Sequence, residues 1–143
     1  MFLWRISNYS TLDGVGGTLR SARWHTKGKP VVYTADHPAS ALLEILASMD
    51  GSLLPDIIQL LKIEVPSHVE QRLVHAGVGL PNDVAVSRSI GDQWLAKASS
   101  ALLQVPSAIL PDIFNTLINP AHPDSQLLKI MSVQSVPLDA RLQ

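Results

Sequence analysis

The stretch Leu19-Arg20-Ser21-Ala22-Arg23-Trp24-His25-Thr26-Lys27-Gly28-Lys29-Pro30-Val31-Val32-Tyr33-Thr34-Ala35, followed by Ala41-Leu42-Leu43-Glu44, decides how this chain is read. Leu19 to Trp24 alternates loosely between apolar and polar residues. Thr26 to Pro30 is a cluster of turn formers, and Val31-Val32-Tyr33-Thr34 is a β-branched and aromatic run. The spacing predicts two strands joined by a tight connection. Asp36 then stands where a helix cap belongs, with Pro38 in the first turn, and Ala39 to Met49 has helical composition, with a stop expected near Gly51. At about 100° per residue, Leu42, Ile45, Leu46 and Met49 share one face of that helix, and Glu44 lies about 160° from Leu42. Glu44 therefore points away from the main apolar stripe.

Working outward, Phe2 to Ile6 reads as an opening strand and Asn8 to Gly17 as a turn-rich loop. Leu61, Ile63 and Val65 alternate with Lys62 and Glu64 up to Pro66, the cleanest strand signal in the chain. Gly77 to Asp83 reads as loop, and Ser89 or Asp92 as the start of a short helix through Trp94, Leu95 and Ala98. Ala101 to Val105 has the character of a buried strand. Three prolines and two asparagines between Pro111 and Pro123 predict irregular backbone or one helical turn, and Leu127 to Leu138 a closing strand. With no internal repeat or linker, residues 1–143 are expected to form one α+β domain, mostly antiparallel strands with short helices.

The chain has 143 residues, enough to bury roughly 68–70% of the surface its unfolded form exposes. Its hydrophobic content of 46% is ordinary, but charged residues make up only 16%, against about 25% in typical domains. That composition argues against disorder and for a surface partly meant to be covered. Eleven Lys and Arg against twelve Asp and Glu give a net charge of −1. This removes the electrostatic footprint of a protein that binds DNA or RNA by itself. The absence of cysteine excludes disulfides, thiolate metal sites and a cysteine nucleophile. The N-terminus lacks a signal-peptide pattern, and no stretch approaches the roughly 20 apolar residues of a membrane span. The expectation is a cytoplasmic protein without membrane contact.

Among the side chains that carry chemistry, the five histidines, at 25, 37, 68, 75 and 122, form no metal-binding spacing, and no metal site is expected. No Gly-x-Ser-x-Gly elbow marks a serine hydrolase. Gly14-Val15-Gly16-Gly17 has backbone N–H groups suited to phosphate, but it does not open a helix after a strand as a dinucleotide fingerprint does. What stands out is the series Arg23, Tyr33 and Glu44. A planar guanidinium, an aromatic face and a carboxylate are the parts needed to hold a dinucleotide: phosphate clamp, ring stack, and ribose contact at a developing positive charge. Spacing alone equally allows Arg23 as a structural ion pair, Tyr33 as a core residue and Glu44 as a solvated helix residue.

The quoted stretch resembles the core of the RES domain, whose pattern is an Arg-Trp pair before a glycine turn, then Val-Val-Tyr-Thr-Ala, then an Ala-Leu-Leu-Glu helix. The resemblance continues in Leu61 to Pro66, Gly91-Asp92-Gln93-Trp94, Val105-Pro106-Ser107, Asn115 to Pro120 with His122-Pro123, and Asp139 to Leu142, in order over nearly the whole chain. It implies a fold similar to ADP-ribosyltransferase toxins and the role of toxin in a bacterial toxin–antitoxin pair. It also implies consumption of NAD, as substrate and not as cofactor, by hydrolysis, phosphorolysis or transfer of ADP-ribose to a protein. Carried over by residue, the resemblance makes Glu44, Arg23 and Tyr33 catalytic. It places Ser107, Asn115, Trp24 and His25 with Arg23 and Tyr33 at NAD. The family usually has two glycines before the Arg-Trp pair and an asparagine after it. Ser21, Ala22 and His25 depart from this, and Ser21 and Ala22 support an alternative reading as a catalytically weak interaction module with the same fold. The implied partner is an Xre-type antitoxin that occludes the site and carries the DNA contact, in an assembly that can be of higher order.

Overall fold

A computed structural model describes residues 1–49, 53–75, 77–78 and 83–142. Seven strands form one sheet: β1 (Phe2–Ile6), β2 (Val32–Ala35), β3 (Ile57–Glu64), β4 (Gln71–Leu73), β5 (Leu102–Pro106), β6 (Phe114–Ile118) and β7 (Lys129–Pro137). Their order across the sheet is β4-β5-β6-β2-β1-β3-β7. Every pairing is antiparallel except β4 with β5. The helices are α1 (Val15–Leu19), α2 (Pro38–Ser48) and α3 (Val84–Lys97). The α+β expectation with mostly antiparallel strands is borne out.

Register divides the sheet into two faces, because residues directly opposite each other in paired strands point the same way. Trp4 pairs with Ala35, Ala35 with Asn115, Tyr33 with Leu117, and Val105 with Asn115, so all of these lie on one face. Here Trp24, Trp94, Val31, Leu103, Val105 and Leu117 form a core with Tyr33 packed against it. The opposite face carries Leu3, Val32, Ile63, Leu102 and Ile118, joined by Val65, Val69, Ala101 and Leu128. Leu61, Ile63 and Val65 are buried as their alternation requires, with Lys62 half-buried and Glu64 exposed.

Several expectations change. Leu19 to Trp24 is not a strand: α1 occupies its start, and only an isolated bridge between Ala22 and His25 remains. The segment lacks a long partner strand and is held against α3 instead, where a Cβ at Gly91 would lie inside the contact radius of the Trp24 carbonyl oxygen. The cap of α2 is His37 and not Asp36; its Nδ1 accepts from the Ala39 N–H at 3.0 Å. With Pro38 occupying the first helical position, the capping place falls on the residue immediately before it. The helix ends at Ser48, and Gly51 lies outside the described residues.

Helix α3 begins at Val84 and is capped by Asp83, whose Oδ1 accepts from the Val86 N–H. Ser87, Gly91 and Trp94 are its buried residues, a narrow seam of small side chains ending in one large one. In the turn reading of 77–83, positions 79–82 fall outside the described residues. Phe114 to Ile118 is a strand despite Asn115 within it and the prolines at 111, 120 and 123 that flank it, because β5 and β2 pair with it from both sides and override local turn preference. Short, exposed β4 carried no alternation to detect.

Candidate active site

Glu44 sits on α2, which packs over β1 and β2 on the same face as Asn115. Ala41, one turn earlier, is the buried residue of this helix, whereas Leu42, Ile45, Leu46 and Met49 are only half-buried. Thus the side of α2 opposite its apolar stripe, not the stripe itself, brings a functional group to the sheet. The Glu44 carboxylate accepts through one oxygen, Oε1, from Ser107 Oγ at 2.9 Å and from Asn115 Nδ2 at 2.8 Å. These donors come from the end of β5 and from β6, far away in sequence. Ser107 Oγ in turn accepts from the Ile109 N–H at 3.1 Å, which fixes its hydroxyl. The second carboxylate oxygen, Oε2, has no hydrogen-bond partner among the described residues and is available to a ligand.

Asn115 shows that this cluster is held under constraint. Glu44 requires the amide N–H₂, so the amide oxygen Oδ1 faces the other way, buried and without a partner. An unsatisfied buried acceptor costs roughly 1–3 kcal/mol. Its retention beside a fixed carboxylate is the pattern of a site organised for something other than stability alone.

A second cluster forms around Tyr33. Its hydroxyl accepts from the Trp24 N–H at 3.1 Å and lies 2.8 Å from His25 Nδ1; His25 Nε2 lies 3.0 Å from the Gly17 carbonyl oxygen. Since a carbonyl only accepts, Nε2 carries the proton, and Nδ1 accepts from Tyr33. The relay Tyr33-His25-Gly17 is therefore directional. Burial pushes the Tyr33 phenol well above its ordinary value, opposed by the nearby guanidiniums of Arg88 and Arg23, so the phenol stays neutral.

Trp24 and His25, expected among the NAD-binding residues, are each only 2% exposed. Trp24 lies in the core, and His25 has both ring nitrogens engaged; they act on the site by holding Tyr33. The loop from Thr26 is tied down by Asp92, which accepts from the Thr26 N–H at 2.9 Å and from Thr26 Oγ1 at 2.6 Å.

The structure therefore joins Glu44, Ser107 and Asn115 directly. It places Tyr33 on the same sheet face, two strand positions from Ala35, the partner of Asn115. Arg23, half-buried, is within electrostatic reach of the Tyr33 hydroxyl. Arg88 was not found by the sequence reading, because α3 was started too late; Asp83 as a cap and the spacing of Ser87, Gly91 and Trp94 are the signals that would have found it. The glycine loop meets Arg5, Tyr9, Thr11 and Asp13 around a cavity of about 150 Å³. Arg5 alternates with Trp4, so its side chain belongs to the face opposite Glu44.

Comparison with known proteins now decides the family, since the RES domain model matches residues 2–140. The chain belongs to the RES domain family. This RES domain is 43% identical to Toxin Res of Pseudomonas putida over 99% of both chains. It is 37% identical to the Prs ADP-ribosylating toxin of a Sphingobium species, over 92% of this chain and 86% of that protein. Toxin Res of Photorhabdus laumondii is 34% identical, over 87% and 85% respectively. At this similarity over nearly the full length, the chain is a toxin of the RES type. A chain of the Mycobacterium tuberculosis MbcT–MbcA toxin–antitoxin complex has the same fold, with a TM-score of 0.72 at 16% identity over 95% of this chain and 84% of that one. Among the described residues, no helix is long and apolar enough to cross a membrane.

Proposed function

We propose that this RES toxin consumes NAD by breaking the bond between nicotinamide and ribose. The observation that carries the reading is the Glu44 carboxylate, held through one oxygen by Ser107 and Asn115 with the other oxygen open to a ligand. As the C1′–N1 bond breaks, its electron pair goes to the pyridinium nitrogen and nicotinamide leaves neutral. The ribose then carries oxocarbenium-like charge. A carboxylate fixed beside C1′ stabilises that charge more than it stabilises the ground state. Its two donors spare it the reorganisation that a freely rotating side chain would undergo.

Arg23 supplies a fork-shaped donor for the diphosphate, and the Tyr33 ring, kept neutral and fixed by Trp24 and His25, packs against the nicotinamide or its ribose. Ser107 and Asn115 position Glu44. The acceptor that bonds to C1′ is water or inorganic phosphate, and the displaced proton goes to solvent. The test is incubation of purified protein with NAD, with and without phosphate, and product identification by mass. Free nicotinamide with ADP-ribose or its 1″-phosphate is expected; unchanged NAD overturns the reading.

The similarity to an ADP-ribosylating toxin favours a second reading, transfer of ADP-ribose to a protein side chain. Labelled NAD added to lysate separates the two, because only transfer leaves label on a macromolecule. The partner we propose is an Xre-type antitoxin that covers the surface at Arg23 and Glu44 and carries any DNA contact. The half-exposed apolar stripe of α2, on the outer side of the helix that carries Glu44, supports that reading. A complex that still binds NAD at Glu44 would contradict it.

A further inference from the structure

Arg88 projects from α3 toward the Ala22-Arg23-Trp24 segment, where its Nε donates to the Ala22 carbonyl oxygen at 2.8 Å. That bond orients the planar guanidinium and uses one of its five N–H groups. The terminal nitrogens make no hydrogen bond among the described residues, and the side chain is half-buried. Arg88 and Arg23 both act electrostatically on the Tyr33 hydroxyl, so two positive charges gather at one place. The carboxylate acting on the same hydroxyl is Asp92, and both of its oxygens are taken by Thr26. Tyr33 itself stays neutral and offers no countercharge.

An oriented guanidinium whose terminal nitrogens make no hydrogen bond among the described residues, with a second guanidinium nearby, matches a group with more than one negative charge and several acceptor oxygens. Tyr33 and Ala35 are two strand positions apart, about 7 Å, and Ala35 pairs with Asn115, which holds Glu44. We infer that Arg88 is a binding residue for the diphosphate of the substrate, gripping the phosphates from the α3 side while its Nε stays on Ala22. This inference rests on the NAD reading above and adds to it the residue that selects for a diphosphate. It also offers compensation for Ser21 and Ala22: where side chains replace the family's glycines and restrict backbone approach, a side-chain donor reaches the phosphates instead.

The experiment measures NAD turnover and ADP-ribose binding by calorimetry for the full chain, Arg88→Gln and Arg88→Lys, with thermal unfolding to establish that each variant is folded. Arg88→Gln is expected to raise KM for NAD and weaken ADP-ribose binding by about tenfold or more, with kcat within about threefold of wild type. Arg88→Lys keeps the charge but loses the Nε bond, and is expected to recover most of the affinity. If Gln and Lys lower affinity equally, the residue acts only through its bond to Ala22 and the inference fails. An unchanged KM in Arg88→Gln, with an active wild type, overturns the inference and leaves the NAD reading intact. A wild-type chain that neither turns over NAD nor binds ADP-ribose overturns both.

Discussion

Replacing Gly91 by alanine tests whether α3 sets the position of the Arg23-Trp24-His25 segment. A Cβ at Gly91 would overlap the Trp24 carbonyl oxygen and lie 2.8 Å from its carbonyl carbon and 3.3 Å from its Cβ. All three atoms are backbone or directly attached to it, so no side chain can rotate aside; helix and segment must separate. Overpacking of this kind costs about 3 kcal/mol. Alanine recovers about 1 kcal/mol of helix propensity, leaving a net loss of about 2 kcal/mol and a Tm lower by roughly 6–8 °C for a domain of this size. Separation also loosens the Asp92 bonds to Thr26 and shifts Trp24, whose N–H fixes Tyr33. Denaturant unfolding followed by tryptophan fluorescence reads the effect. Gly16→Ala, where an added Cβ meets nothing within 4 Å, is the matched control and should be neutral or slightly stabilising. A Gly91→Ala protein as stable as wild type would refute the close approach.

Ser107→Ala removes one of the two donors to Glu44 and should lower kcat about tenfold or more with little change in KM, checked by initial-rate kinetics. Tyr33 has a folded-state pKa raised above its ordinary 10.0 by burial, so the unfolded chain loses this proton first as pH rises. Its contribution is fully present below pH 10 and is lost above it, by up to about 1.4 kcal/mol per pH unit. Urea midpoints between pH 8 and 11 should fall more steeply for wild type than for Tyr33→Phe. Ala98 closes α3 at φ 48°, a conformation that glycine adopts without cost, and Ala98→Gly should raise stability by about 0.5–1 kcal/mol in the same unfolding assay.

The legible parts of the fold were those where a local pattern and the tertiary environment agree. Leu61, Ile63 and Val65 alternate because one side of β3 is core, and Pro38 marks the start of α2 whatever surrounds it. Phe114 to Ile118 was illegible because its strand identity comes from two neighbours far away in sequence, and a window of residues does not contain them. The start of α3 was obscured because its buried seam is made of Ser87 and Gly91, small residues invisible to a hydrophobic pattern, with Gly91 closely approached by Trp24. At the site, helical geometry placed Glu44 opposite the apolar stripe, but nothing in its spacing indicated that this side faces Ser107 and Asn115. The family pattern supplied those two residues. His25 was readable as a departure from that pattern, yet its burial and its bonds to Tyr33 and Gly17 depend on α1 folding back against residues 29–31, which no local signal announces.

The central claim is that the Glu44 carboxylate stabilises the charge developing on ribose as nicotinamide leaves. Glu44→Gln keeps size and hydrogen-bonding capacity while removing that charge, so release of nicotinamide from NAD by this variant, measured beside wild type at saturating substrate, tests the claim most directly. A fall in kcat of at least about 100-fold is expected, with ADP-ribose still bound. Release by Glu44→Gln at the wild-type rate would contradict it.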